Sequence, residues 1–173
     1  MKKKTIEKMV DEVLDKAHIY HDVDIVDLCK KLGFAIYSIE KLDKDEDGFI
    51  IVKDKTVKVR KHRDMPDKLI AFNEDRTYEE RRYIIAYQLA RFLLSQKNNS
   101  IYAARGSIYD FDKIDHQLHY CASYLLMPNR VFENAYANIK ARHKNKIIQI
   151  KALAECFEVP ILCVLWRIED LKD

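Results

Sequence analysis

Thr77-Tyr78-Glu79-Glu80-Arg81-Arg82-Tyr83-Ile84-Ile85-Ala86-Tyr87-Gln88-Leu89-Ala90-Arg91-Phe92-Leu93-Leu94 is the stretch on which the fold of this chain turns. Thr77 and Glu80 stand at the spacing of a capping box, in which a hydroxyl and a carboxylate each accept from the other residue's backbone amide. Behind them Ile84, Ile85, Leu89, Phe92 and Leu93 recur at helical spacing, the stripe of a helix that faces a core. The pattern predicts a central helix that opens at Thr77.

On the N-terminal side, Ile6, Met9, Val10, Val13, Leu14 and Ala17 predict an amphipathic helix from Thr5, and Asp24 to Leu32 predicts a short one ended by Gly33. The register then shortens. Phe34–Ile39, Gly48–Val52, Thr56–Arg60 and Leu69–Phe72 read as strands, rich in β-branched and aromatic residues. Their short connections require a sheet of three or four strands that is at least partly antiparallel. On the C-terminal side the chain reads as helical to its end. A polar interruption at Gln96–Gly106 is followed by helices at Asp112–Met127, stopped by Pro128, at Asn129–Ala141, at Ile147–Phe157, and from Pro160 to Leu171. The expectation is one helix-dominated α+β domain over residues 1–173.

Composition narrows the function. Of 173 residues 48% are hydrophobic and 34% charged, enough apolar material for a core. Three glycines, well separated, exclude a glycine-rich phosphate loop or a dinucleotide fingerprint, so nucleotide cofactors are not expected. A net charge of +3 is mild for a domain devoted to nucleic acid. Cys29, Cys121, Cys156 and Cys163 lie in apolar helical contexts without a CxxC pair, which implies reduced, buried thiols and a cytoplasmic protein. Charges interrupt Thr5–Ala17, so no targeting or membrane-spanning segment is read there.

Ile70-Ala71-Phe72-Asn73, the helix Glu80–Leu94, and Asp115-His116-Gln117-Leu118-His119-Tyr120-Cys121-Ala122-Ser123-Tyr124-Leu125-Leu126-Met127-Pro128 together resemble the ImmA/IrrE family of zinc metallopeptidases, which have a zincin-like fold. In that family a strand ending in Asn precedes a helix carrying His-Glu-x-x-His, and a later helix reads Glu-x-x-Ala-x-x-Phe-Ala-x-x-Leu-Leu-Met-Pro. Leu153-Ala154, Phe157-Glu158-Val159-Pro160 and Leu165-Trp166-Arg167-Ile168 look like its closing pair of helices. The resemblance implies a cleft that receives, and in active relatives cleaves, a segment of a regulatory protein, often a helix-turn-helix repressor. Family members are often carried on mobile elements.

Where the family has its two zinc histidines this chain has Tyr87 and Arg91, and Gln88 replaces the glutamate between them. A guanidinium is a donor only and repels a cation. An amide cannot deprotonate a zinc-bound water. Asp115, matching the family's downstream Glu by spacing, alone keeps a ligand's chemical type. Zinc is therefore not expected, and the resemblance implies a degenerate HExxH motif in a pseudopeptidase that binds a protein or peptide partner, with Tyr87, Gln88, Arg91 and Asp115 lining the groove. Two arrangements are open: Arg91 fills the metal position and pairs with Asp115, or Arg91 faces solvent and Asp115 caps its helix.

Two other functions compete. His116, His119 and Asp115 share one helix and could hold a non-standard metal site that keeps an enzyme alive. Alternatively, the basic runs that include Lys58, Arg60 and Lys61, and Lys140, Arg142, Lys144 and Lys146, would contact phosphates in a nucleic-acid-binding regulator. The Leu153–Leu171 pair imitates a helix-turn-helix, but its second helix is too apolar to read bases and is expected as core. Asp43–Asp54 matches an EF-hand loop in its first eight positions, yet strands flank it, and a solvated acidic hairpin turning at Asp47-Gly48 is expected there.

Overall fold

The computed structural model describes residues 1–40, 42, 46–52, 66–95, 102–106 and 115–171. In chain order the elements are α1 (Lys3–Lys16), α2 (Ile25–Lys31), β1 (Ala35–Ile39), β2 (Gly48–Val52), β3 (Lys68–Asn73), α3 (Tyr78–Ser95), β4 (Tyr102–Gly106), α4 (His116–Leu126), α5 (Asn129–Arg142), α6 (Lys146–Phe157) and α7 (Ile161–Asp170). The architecture is the helix-dominated α+β arrangement expected from the sequence.

Local signals act where they were read. Thr77 and Glu80 form the capping box, with the Thr77 amide donating to Glu80 Oε2 at 2.9 Å and the Glu80 amide to Thr77 Oγ1 at 3.3 Å. α2 ends on Gly33 at φ +83°, where the Gly33 amide donates to the Lys30 carbonyl and the Phe34 amide to that of Cys29. These are the two hydrogen bonds of a Schellman motif, which only a left-handed residue allows at low cost.

The sheet order is β1-β3-β2-β4, with β1 and β3 parallel and β2 antiparallel to both β3 and β4. β4 corrects the sequence reading, which made Gln96–Gly106 a polar interruption within an all-helical half. Tyr-Ala-Ala-Arg-Gly has neither alternation nor β-branched residues, so the free hydrogen-bonding edge of β2 decides its conformation. The strand expected at Thr56–Arg60 lies outside the described residues.

α3 lies across β2 and β3 on one side and against α4 on another, and every residue from Tyr83 to Ala90 is buried. A helix buried all round belongs at the centre of a domain. It approaches the sheet so closely that a Cβ on Gly48 would stand 2.7 Å from Ile84 Cγ2, besides lying 2.6 Å from the Ala71 carbonyl oxygen of the neighbouring β3. Asp47 is likewise not a solvated turn residue. Its side chain is fully buried and ion-paired with Arg76 at 2.5 Å, and the chain enters β2 directly at Gly48. Asp47 lies out of water, and the guanidinium compensates its charge. Positions 43–45 of the EF-hand-like run lie outside the described residues.

α1 docks on α4 and α5 through one acidic stripe. Tyr120 donates to Glu7 at 2.6 Å, Tyr124 to Asp11 at 3.2 Å, and Arg130 pairs with Asp15 at 2.9 Å. Cys29, Cys121 and Cys163 are buried as expected, whereas Cys156 is exposed on the outer side of α6; all four are free thiols. No helix among the described residues is long and apolar enough to cross a membrane.

Candidate functional site

Tyr83, Tyr87 and Arg91 succeed one another by one turn along α3 and so project from one face of it. That face meets His119 of α4 and Trp166 of α7. The Tyr83 hydroxyl and His119 Nδ1 are joined by a hydrogen bond of 2.9 Å, the Tyr87 and His119 ring centroids are 4.9 Å apart, and Trp166 meets His119 edge-on at 4.6 Å. The result is an imidazole enclosed by three aromatic rings, a favourable geometry for π-systems. Burial lowers the His119 pKa to about 4, with Asp115 opposing and His116 and Arg91 adding to the shift. His119 is therefore neutral at pH 7.

Arg91 closes the row. Its guanidinium carbon sits 5.1 Å from the centroid of the Tyr87 ring, within cation–π range. Its Nε is buried and has no hydrogen-bond partner among the described residues. Gln88, 1% exposed, keeps its Oε1 buried and equally unpartnered there.

Asp115 does not complete this row. It is exposed, and its Oδ1 accepts from the amides of Gln117 at 3.0 Å and Leu118 at 3.2 Å as the N-cap of α4. Among the described residues no ion pair joins it to Arg91. Of the two arrangements left open by the sequence, capping is the one formed for Asp115. Arg91 follows neither, being half-buried against Tyr87. The orphan amides of a helix start offer a short carboxylate two nearby donors at no cost in side-chain reach. Of the four residues expected to line a groove, Tyr87 and Gln88 are buried and only Arg91 and Asp115 reach the surface.

The same geometry separates the candidate metal ligands. His119 points into the aromatic enclosure with Nδ1 engaged, His116 is exposed, and Asp115 is committed to backbone amides. Among the described residues no three His, Cys, Asp or Glu side chains gather as a metal-holding group. On α3 the available groups are a phenol, an amide and a guanidinium, a set that does not fit a zinc ion. Lys58, Arg60 and Lys61 lie outside the described residues, and Lys140, Arg142, Lys144 and Lys146 are exposed. Leu153, Ala154, Phe157, Cys163 and Val164 are core as expected for the helical hairpin, although Ile161 and Leu165 face outward.

Tyr83 and Trp166 are the participants that pattern reading passed over. Tyr83 stands one turn before Tyr87, so the spacing could have paired them; nothing local announces that α7 brings the single tryptophan to the same place.

The profile of the IrrE N-terminal-like domain, Peptidase_M78, matches residues 29–169. This chain belongs to that family. Its Peptidase_M78 region thus begins within α2, leaving α1 ahead of the match. The chain also superposes on a solved structure of a Mycobacterium tuberculosis transcriptional regulator with a TM-score of 0.58 at 16% identity, over 94% of this chain and 46% of the regulator. The likeness is one of fold, and the chain spans less than half the length of that protein. A comparison with curated proteins gives no match.

Proposed function

We propose that this member of the Peptidase_M78 family is a pseudopeptidase that has lost zinc-dependent hydrolysis and acts by holding a segment of a protein partner. The observation that carries the reading is the Tyr87–Arg91 stack, where the chain sets a permanent cation over a phenol at the helix turn on which the family carries its metal ligands. An ion of charge +2 gains nothing beside a guanidinium, and Gln88 supplies no base. Membership of the family and the fold shared with a transcriptional regulator support a regulatory role. The partner class this suggests is a regulatory protein, such as the helix-turn-helix repressor of a mobile element, in the cytoplasm.

The polar surface for such a partner is Arg91 with Asp115, and the sheet edge at β4, which among the described strands pairs with β2 alone, suits an extended segment that adds a strand. Affinity capture from the native cell with the wild-type chain and with Arg91→Ala tests the reading. A partner held by the first, lost by the second and recovered intact is the expected result. Tightly bound stoichiometric zinc together with cleavage of the captured partner would overturn it.

A further inference from the structure

A cavity of about 460 Å³ opens where the first turns of α1 and α4 meet the last turn of α7. Its size falls within the roughly 300–1,000 Å³ of small-molecule sites. Ile6, Tyr120, Trp166 and His119 supply apolar and aromatic surface, and the carboxylates of Glu169 and Asp170 line the end at α7. Lys3, His116 and Met1, which carries the amino terminus, are the basic residues of the lining. The wall built by α1 lies ahead of the region shared with the Peptidase_M78 family.

The carboxylate and aromatic groups around Lys3 favour a cation. Lys3 Nζ stands 3.1 Å from Asp170 Oδ1 and 5.5 Å from the centroid of Tyr120, so the chain already places one of its own ammonium groups between a carboxylate and an aromatic face. Glu169 and Asp170 are the last two residues of α7, where the terminal carbonyls add further negative potential. His119, 6% exposed and with Nδ1 tied to Tyr83, contributes a polar edge to the wall. At neutral pH it adds no positive charge, because burial holds its pKa near 4.

The geometry points to a binding site for a small organic cation of the arylalkylammonium class, its ring among Tyr120, Trp166 and His119 and its ammonium at Asp170 and Glu169 in the position Lys3 now takes. The cavity shares His119 and Trp166 with the candidate functional site, but the proposal does not rest on partner binding at Arg91.

Trp166 is the one tryptophan in the chain and lines this cavity, so its fluorescence responds to a ligand bound there. Titration of the full chain with phenethylammonium is expected to give a saturable change in the millimolar range or below, and titration with phenylacetate, the same ring with the opposite charge, to give none. Asp170→Asn should weaken binding about fivefold, the scale of one partly exposed ionic or cation–π contact, and Lys3→Ala should tighten it by a similar factor by removing the competing ammonium. Lys3 lies in the first turn of α1 with its side chain 42% exposed, so Lys3→Ala is expected to keep the wild-type circular dichroism and to leave the test decisive even if Asp170→Asn does not fold. No saturable change, an equal response to phenylacetate, or weaker binding by Lys3→Ala would each overturn the site.

Discussion

Arg167 and Arg91 both lie inside the helical half against aromatic rings, and they are used in opposite ways. Arg167, 1% exposed, donates from Nε to the Met127 carbonyl at 3.0 Å and from its terminal nitrogen to Asn129, while its guanidinium carbon lies 5.0 Å from the Tyr124 centroid and 5.3 Å from that of Phe132. It joins α7 to the α4–α5 junction, satisfying carbonyl groups that the turn at Pro128 leaves open. Arg91 has one ring beneath it and no hydrogen bond among the described residues. A buried cation with its donors filled stabilises a fold, whereas the Arg91 guanidinium ties no second element in place among the described residues.

The contrast predicts a graded set of effects. Arg167→Ala should cost the most, about 3 kcal/mol or more by urea denaturation, since it strands Met127 O and Asn129 Oδ1 and opens a void between two rings. A loss under about 1 kcal/mol would break the contrast at its structural end.

Acid should act next, through the imidazole beside Arg91. The folded His119 has a pKa of about 4 against an ordinary value of 6.5, so between these values the unfolded chain binds a proton that the folded chain refuses. Stability should therefore fall as pH drops from about 6.5 towards 4, and His119→Phe should flatten that part of the stability curve. An unchanged slope would mean that the Tyr83–His119–Trp166 enclosure is open to water.

Asp115→Ala should remove a helix cap and cost about 1 kcal/mol. Combined with Arg91→Ala in a double-mutant cycle it should show almost no coupling, within about 0.3 kcal/mol, because the two side chains are not paired. Coupling above about 1 kcal/mol would restore the internal ion pair. Arg91→Ala alone should change stability least, within about 0.5 kcal/mol, while abolishing partner capture. That separation of stability from binding is the sharpest form of the comparison.

The helices were legible because their signals are local. The Thr77–Glu80 box, the Gly33 stop, Asp24 and Pro128 act within a few residues of themselves, and the apolar spacing is read along one element. β4 was not legible, because Tyr102–Gly106 takes its conformation from β2, far away in sequence. Asp47 was misread for a related reason. An Asp-Gly pair behind an acidic run has the composition of a solvated turn, and the ion pair with the distant Arg76 is part of what makes Asp47 an interior residue. At the candidate site the chemistry of Tyr87, Gln88 and Arg91 was visible as letters. Their accessibility was not: that two of the three are sealed in the core depends on how α4 and the sheet close over α3.

What the residues determine without help is therefore chemical inventory and local shape: the helices with their local start and stop signals, a family likeness carried by spaced apolar motifs, and a phenol, an amide and a guanidinium within two turns of α3. Covalent identity and short-range hydrogen bonding need no knowledge of distant partners. Which carboxylate meets which cation, whether His119 is a surface base or a buried neutral ring, and where the lone tryptophan lies were decided by tertiary structure. Charge and proton affinity depend on desolvation and on neighbours from other elements, and those exist only after the helices have packed.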